Sequence, residues 1–172
     1  MTKNKLAALF NEYTRTVIET YPTEGRTPSE IGLLNDLFRL GWSLHTCTPD
    51  QRKFWSCLRP EIGQDLVTAL VVRDACGSRV VSSVIPGHGA HYFNLIGIGS
   101  DRQVIDFTRS RFPPGTIIPM GVETDSETLL VSPNAISDKT EPRFRLLRRR
   151  IEKQMRDSLN QDVQKSNTRR VR

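Results

Sequence analysis

No stretch of about 18 consecutive apolar residues occurs in the 172 residues, which excludes a membrane-crossing helix of ordinary length. The opening residues, MTKNKLAALFNEYTR, contain no long apolar core, so no secretory leader is expected. Cysteine is scarce. Cys47, Cys57 and Cys76 form an odd set without CxxC spacing, which leaves neither a zinc-ribbon nor a dithiol motif and points to reduced thiols in a cytoplasmic protein. No cofactor or metal-ligand motif is legible. Apolar residues make up 37% and aromatics 7%, which predicts one modest core with solvated segments around it.

A basic excess is also missing from most of the chain. Residues 143–172 hold 11 Lys/Arg and 3 Asp/Glu, whereas residues 1–142 hold 14 basic and 16 acidic groups. The net charge of +6 therefore belongs to the C-terminal segment. Its run RFRLLRRRIEKQMR could attract an anionic partner, nucleic acid or a membrane surface, although no aromatics are interleaved for base stacking. The plainer interpretation is a solvated helix face. The hydrophilic end SNTRRVR is also similar to the C-terminal export signals of type IV secretion substrates.

Hydrophobic spacing organises the rest. Leu6, Leu9, Phe10, Tyr13, Val17 and Tyr21 predict an amphipathic helix over 4–21. Thr27, Pro28 and Glu30 form a capping box for a helix that turns Ile31, Leu34, Leu37 and Phe38 inward. Thr48, Pro49 and Gln51 repeat the signal and predict a short helix QRKFWSCL. The segment LVTALVVRDAC, apolar almost all round and followed by Gly77, predicts a buried helix. RVVSSVI, HYFNLIGI and RQVIDFT predict strands, the last two joined at Gly99-Ser100-Asp101. TIIPMG and ETLLVS read as short strands or loops. Phe144, Leu147, Ile151, Met155 and Leu159 draw a narrow apolar stripe along a basic helix, and QKSNTRRVR beyond it is expected to be disordered.

The two strands after His88 carry the chemistry. An odd loop near Gly99-Ser100 would put His91 and Asp106 on opposite faces, whereas a two- or four-residue loop centred there puts odd residues of the first strand on the same face as even residues of the second. His91 and Asp106 then point the same way, at most a diagonal apart, and the acid can orient one ring nitrogen while the other acts as a base. A half-buried His held by an Asp for packing alone fits the same two residues. A reaction needs a nucleophile from elsewhere, and the start of the buried helix, Gly63-Gln64-Asp65, is the natural supplier, because a helix N-terminus lowers a thiol pKa.

The run GQDLVTALVVRD, followed by GAHYFNL and VIDFTRSRF, resembles the YunG-like proteins, whose pattern is roughly GQC-x-VTALVVQD, HYWN and (I/V)DLTRxQF. LFRLGWS around Trp42 resembles that family's Trp-Ser segment and RFRLLRRRI its closing Arg-aromatic-x-Leu-Leu stretch, so the likeness covers roughly residues 35–151. The resemblance implies a small papain-like or transglutaminase-like domain with Cys, His and Asp in that chain order. It puts the base at His91 and the orienting acid at Asp106.

Where the pattern has Cys, this chain has Asp65. A carboxylate is already ionised at neutral pH and has no proton to give an imidazole, and as a nucleophile it suits glycosyl or phosphoryl centres better than amides. The bland role for Asp65 is a helix N-cap or an ion-pair partner. If His91 is near, Asp65 and Asp106 flank it and hold it as a cation, which makes a poor base. Cys57, eight positions before Asp65, is a candidate replacement thiol or simply a buried one. Cys76, about 15 Å along the helix, is too far, and Cys47 reads as packing. His88 reads as a solvent-facing loop residue. Gln64 is a candidate oxyanion donor or a plain loop amide.

The expectation is thus an α+β fold: an N-terminal helical extension (1–26), a papain-like domain (27–142) with a central buried helix on an antiparallel sheet, and a basic C-terminal helix and tail (143–172). Three functions compete. The first is a nucleophile-deficient relative of a cysteine hydrolase, a pseudoenzyme that binds a protein or small-molecule ligand. The second is an active hydrolase or transferase using Asp65 or Cys57 with His91 and Asp106. The third is an exported or nucleic-acid-contacting factor acting through the Arg-rich tail.

Overall fold

The computed structural model describes residues 27–97 and 102–170. The helix expected over 4–21, the turn at 99–101 and the side chains of Thr27 and Ile31 lie outside that description. Helix α1 spans Thr27–Gly41, and a 3-10 turn spans Pro49–Phe54. Helix α2 spans Asp65–Cys76 and is followed by strands β1 (Arg79–Ile85), β2 (Gly89–Ile96) and β3 (Gln103–Ile105). A short 3-10 turn at Arg109–Arg111 leads to β4 (Val122–Glu123), α3 (Thr128–Val131), α4 (Pro133–Ser137) and α5 (Thr140–Arg170). The fold is α+β. The four strands are antiparallel in the order β3-β2-β1-β4.

The chain divides into two compact units. One holds α1 and the residues from Arg149 onward. There Leu37, Phe38, Ile151 and Met155 are buried, and Arg150 donates to the carbonyls of Leu40 and Gly41. The other, Trp42–Arg148, contains the sheet, α2 and the candidate site. Among the described residues no helix is long and apolar enough to cross a membrane.

Within the second unit, α2 forms as its sequence dictates. Val67, Ala69, Leu70, Val71, Val72 and Ala75 are all buried, and Gly77 closes the helix in a left-handed conformation with its N–H donating to Arg73 O. The sheet packs on it through one face: Val80 clusters with Ala69 and Leu129, joined by Leu66 and Tyr92. Asn94, buried on β2, would be costly there without partners, and its amide donates to Ala69 O at 2.9 Å and Ser78 Oγ at 3.0 Å. On the opposite face Val81, Phe93 and Leu95 cluster with Ile118.

Several local expectations are corrected. The segment QRKFWSCL is not a helix. Only Pro49–Phe54 coils, as a 3-10 turn, and Thr48 does not cap it, because its hydroxyl turns to Gly63 O at 3.3 Å instead. Trp55 then leaves in an extended conformation, its indole N–H bound to Pro60 O. ETLLVS is neither strand nor loop but the helical turn α3, because Asp125 accepts hydrogen bonds from both the N–H and the hydroxyl of Thr128 at 2.8 Å. The end expected to be disordered continues α5 through Arg170, a stretch with no Gly or Pro to stop a helix.

Candidate functional site

The pairing of β2 with β3 decides where Asp106 can reach. Asn94 faces Ile105, Leu95 faces Val104 and Ile96 faces Gln103, an odd-to-even register. His91 and Asp106 therefore share a face, a diagonal apart. Asp106 follows the last residue of β3, and its Oδ1 accepts from the N–H and the hydroxyl of Thr108 at 3.0 and 3.1 Å. That local turn fixes the carboxylate and leaves Oδ2 facing His91 Nε2 at 2.7 Å.

Asp65 arrives from the other side. Gly63 holds φ +67°, and a Cβ there would stand 2.6 Å from both Cys47 Sγ and Thr48 Oγ1, so only glycine fits this bend. The bend delivers Gln64 and then Asp65, the first residue of α2. Tyr92 has no partner on β3, which ends opposite Asn94, and its N–H reaches Asp65 Oδ2 at 3.4 Å. The same oxygen lies 3.3 Å from His91 Nδ1. Of the two non-catalytic roles expected for Asp65, the N-cap is thus corrected and the ion pair is the one the fold uses. Gln64 occupies the capping position without a side-chain cap, and the Asp65 carboxylate is committed to the sheet.

A fourth residue, absent from the sequence-based set, completes the cluster. Arg111 Nη1 lies 2.8 Å from Asp65 Oδ2, and both side chains are under a tenth exposed. The contact is an ion pair by distance without hydrogen-bond alignment, so charge attraction dominates it. The guanidinium lies over the Phe112 ring at 4.8 Å, and Phe112 meets the His91 ring edge-on at 4.8 Å. Arg59 fastens this turn by donating to Arg111 O at 3.0 Å.

Electrostatics follow from that arrangement. His91 is 0% exposed. Burial by itself pushes its pKa down, but hydrogen bonds and charge from Asp106 and Asp65 outweigh burial and raise it above 6.5. Burial likewise pushes Asp65 up, yet the hydrogen bond from His91 and the charge of Arg111 bring it below its ordinary 3.8. A charge count gives the same answer: with His91 protonated, two carboxylates face two cations and the buried cluster is neutral. With His91 neutral, an uncompensated negative charge remains in a poorly solvated place.

The other singled-out residues lie differently. Cys57 is exposed in the loop before α2, not buried as one of its two expected roles required. Cys47 is buried, which raises its thiol to about 11, an inert value. Cys76 is at the far end of α2. His88 is exposed and touches Phe112 edge-on at 5.3 Å. Gln64 is fully buried, and its Nε2 donates to Ser43 O at 3.0 Å, so that donor is already engaged, while its Oε1 has no partner. No group of three His, Cys, Asp or Glu that could hold a metal ion occurs among the described residues. Several basic residues of α5 are spent internally: Arg148 pairs with Asp74 at 3.2 Å, Arg145 with Glu141 and Lys153 with Asp157.

A family model described as YunG protein matches residues 30–156, most of the chain. The chain belongs to the YunG family. No curated protein and no solved structure matches it.

Proposed function

We propose that this YunG family member is a binding protein built on a cysteine-hydrolase-like site that lacks its nucleophile, within a papain-like or transglutaminase-like arrangement. The observation that carries the reading is the capping of both ring nitrogens of His91 by carboxylates, 3.3 Å to Asp65 and 2.7 Å to Asp106. A general base needs one free nitrogen facing the proton it takes, and His91 has none. Asp65 stands where the family pattern quoted above carries Cys, and Arg111 stands where it carries Gln. The two departures meet as an ion pair at 2.8 Å, which is what a site converted from nucleophilic chemistry to charge pairing looks like.

The test is alkylation of the wild-type protein with iodoacetamide near neutral pH, mapped by peptide mass spectrometry. Exposed Cys57 should label at the rate of an ordinary thiol, and His91→Gln should leave that rate unchanged. Rapid labelling of Cys57 that disappears in His91→Gln would replace this reading with an active enzyme that borrows Cys57.

A further inference from the structure

Arg143, near the start of α5, is 2% exposed, and none of its Nε, Nη1 and Nη2 atoms has a hydrogen-bond partner. Thr140 lies one turn earlier on the same face, fully buried, with an unpartnered hydroxyl. Arg52 on the Pro49–Phe54 turn has a buried Nε without a partner. Buried guanidinium groups are normally matched by acceptors, because taking the charge out of water is expensive. Arg111 and Arg148 in the same unit obey that rule through Asp65 and Asp74. Arg143 does not. Burial pushes its pKa below the ordinary value, and Asp138 and Asp65 act on it only through space while Arg52 adds a like charge.

Buried donors of three residues thus lack acceptors, and Arg52 is near enough to Arg143 for the two charges to act on each other. A guanidinium fork matches a planar two-oxygen anion. The nearby carboxylate of Asp138 limits the positive charge left to neutralise, which favours a single negative charge over a dianion. We propose that Arg143, with Arg52 and Thr140, forms a subsite for the carboxylate group of a small ligand. The subsite does not depend on the protonation state of His91 or on the absence of a nucleophile.

The test is thermal unfolding of the full chain in sodium acetate, with sodium phosphate and sodium chloride at matched ionic strength. Acetate should raise the midpoint saturably, by about 3–5 °C at roughly ten times its dissociation constant, beyond any effect of chloride. Arg143→Met should still fold, since an apolar group of similar length replaces an unmatched charge, and should lose the acetate response. If that variant does not fold, Arg52→Gln and Thr140→Val serve instead, each shifting the acetate half-point to higher concentration. No response beyond chloride, a response to phosphate alone, or an unaltered response in the variants would each overturn the proposal.

Discussion

Asp65→Ala is expected to lower the unfolding free energy by about 3–5 kcal/mol at pH 6, because removing one partner leaves two buried cations facing too little negative charge. Against a domain stability of roughly 5–15 kcal/mol this is a large fraction, readable as a lower urea midpoint. Asp65→Leu combined with Arg111→Met should recover most of the loss, since it removes a pair instead of orphaning one member. The pH dependence carries a sign. The folded pKa of His91 lies above 6.5, so its stabilising share is full below pH 6.5 and is lost as pH rises through the folded value. Asp65 lies below 3.8 in the fold, so its share is full above pH 3.8 and is lost as pH falls through the folded value. The site therefore contributes most between pH 3.8 and 6.5, and wild-type stability should decline toward alkaline pH. Asp65→Ala should flatten that decline. A loss under about 1 kcal/mol would mean that the cluster is solvated and weakly coupled.

The second large effect is a gain. Asp65→Cys combined with Arg111→Gln puts a thiol beside His91 Nδ1 at the N-terminus of α2 and removes the competing cation. Pairing with an imidazolium and the helix end lowers a thiol pKa by several units, so at pH 6 the thiolate fraction rises on the order of 100-fold over an ordinary cysteine. The lower intrinsic nucleophilicity of such a thiolate takes back part of this, leaving iodoacetamide labelling about 10–100 times faster than at Cys57. Adding His91→Ala should return the rate to that of an ordinary thiol. Labelling that ignores His91 would mean the geometry at position 65 does not suit a catalytic thiol.

How much of this was legible in the sequence depended on how local the signal was. An even loop near Gly99-Ser100 and an odd one imply opposite registers, and β2 and β3 pair as an even loop requires, Asn94 with Ile105. The all-round apolar run of α2 and its glycine stop also read directly. Nothing periodic marks Arg111: it sits on a three-residue 3-10 turn, and only the folded path brings it to Asp65. A charge run gives no hint of which arginine turns inward, so the sequence places Arg143 on a solvated basic face while the fold buries it. The turn α3 carries no start signal directly before its apolar run, because the acceptor that pins it, Asp125, lies three residues ahead of Thr128. Asp65 looked like a cap because capping is the default for an acid at a helix start. The pull of His91 and Arg111 is long-range in sequence and outweighs that default.

The protonation state of His91 tests the account most directly. Nitrogen-detected NMR of the imidazole across pH 5–9 should show both ring nitrogens protonated at pH 5, with a titration midpoint displaced above 6.5. A midpoint at or below 6.5 would contradict the neutral four-residue cluster and restore His91 as a base.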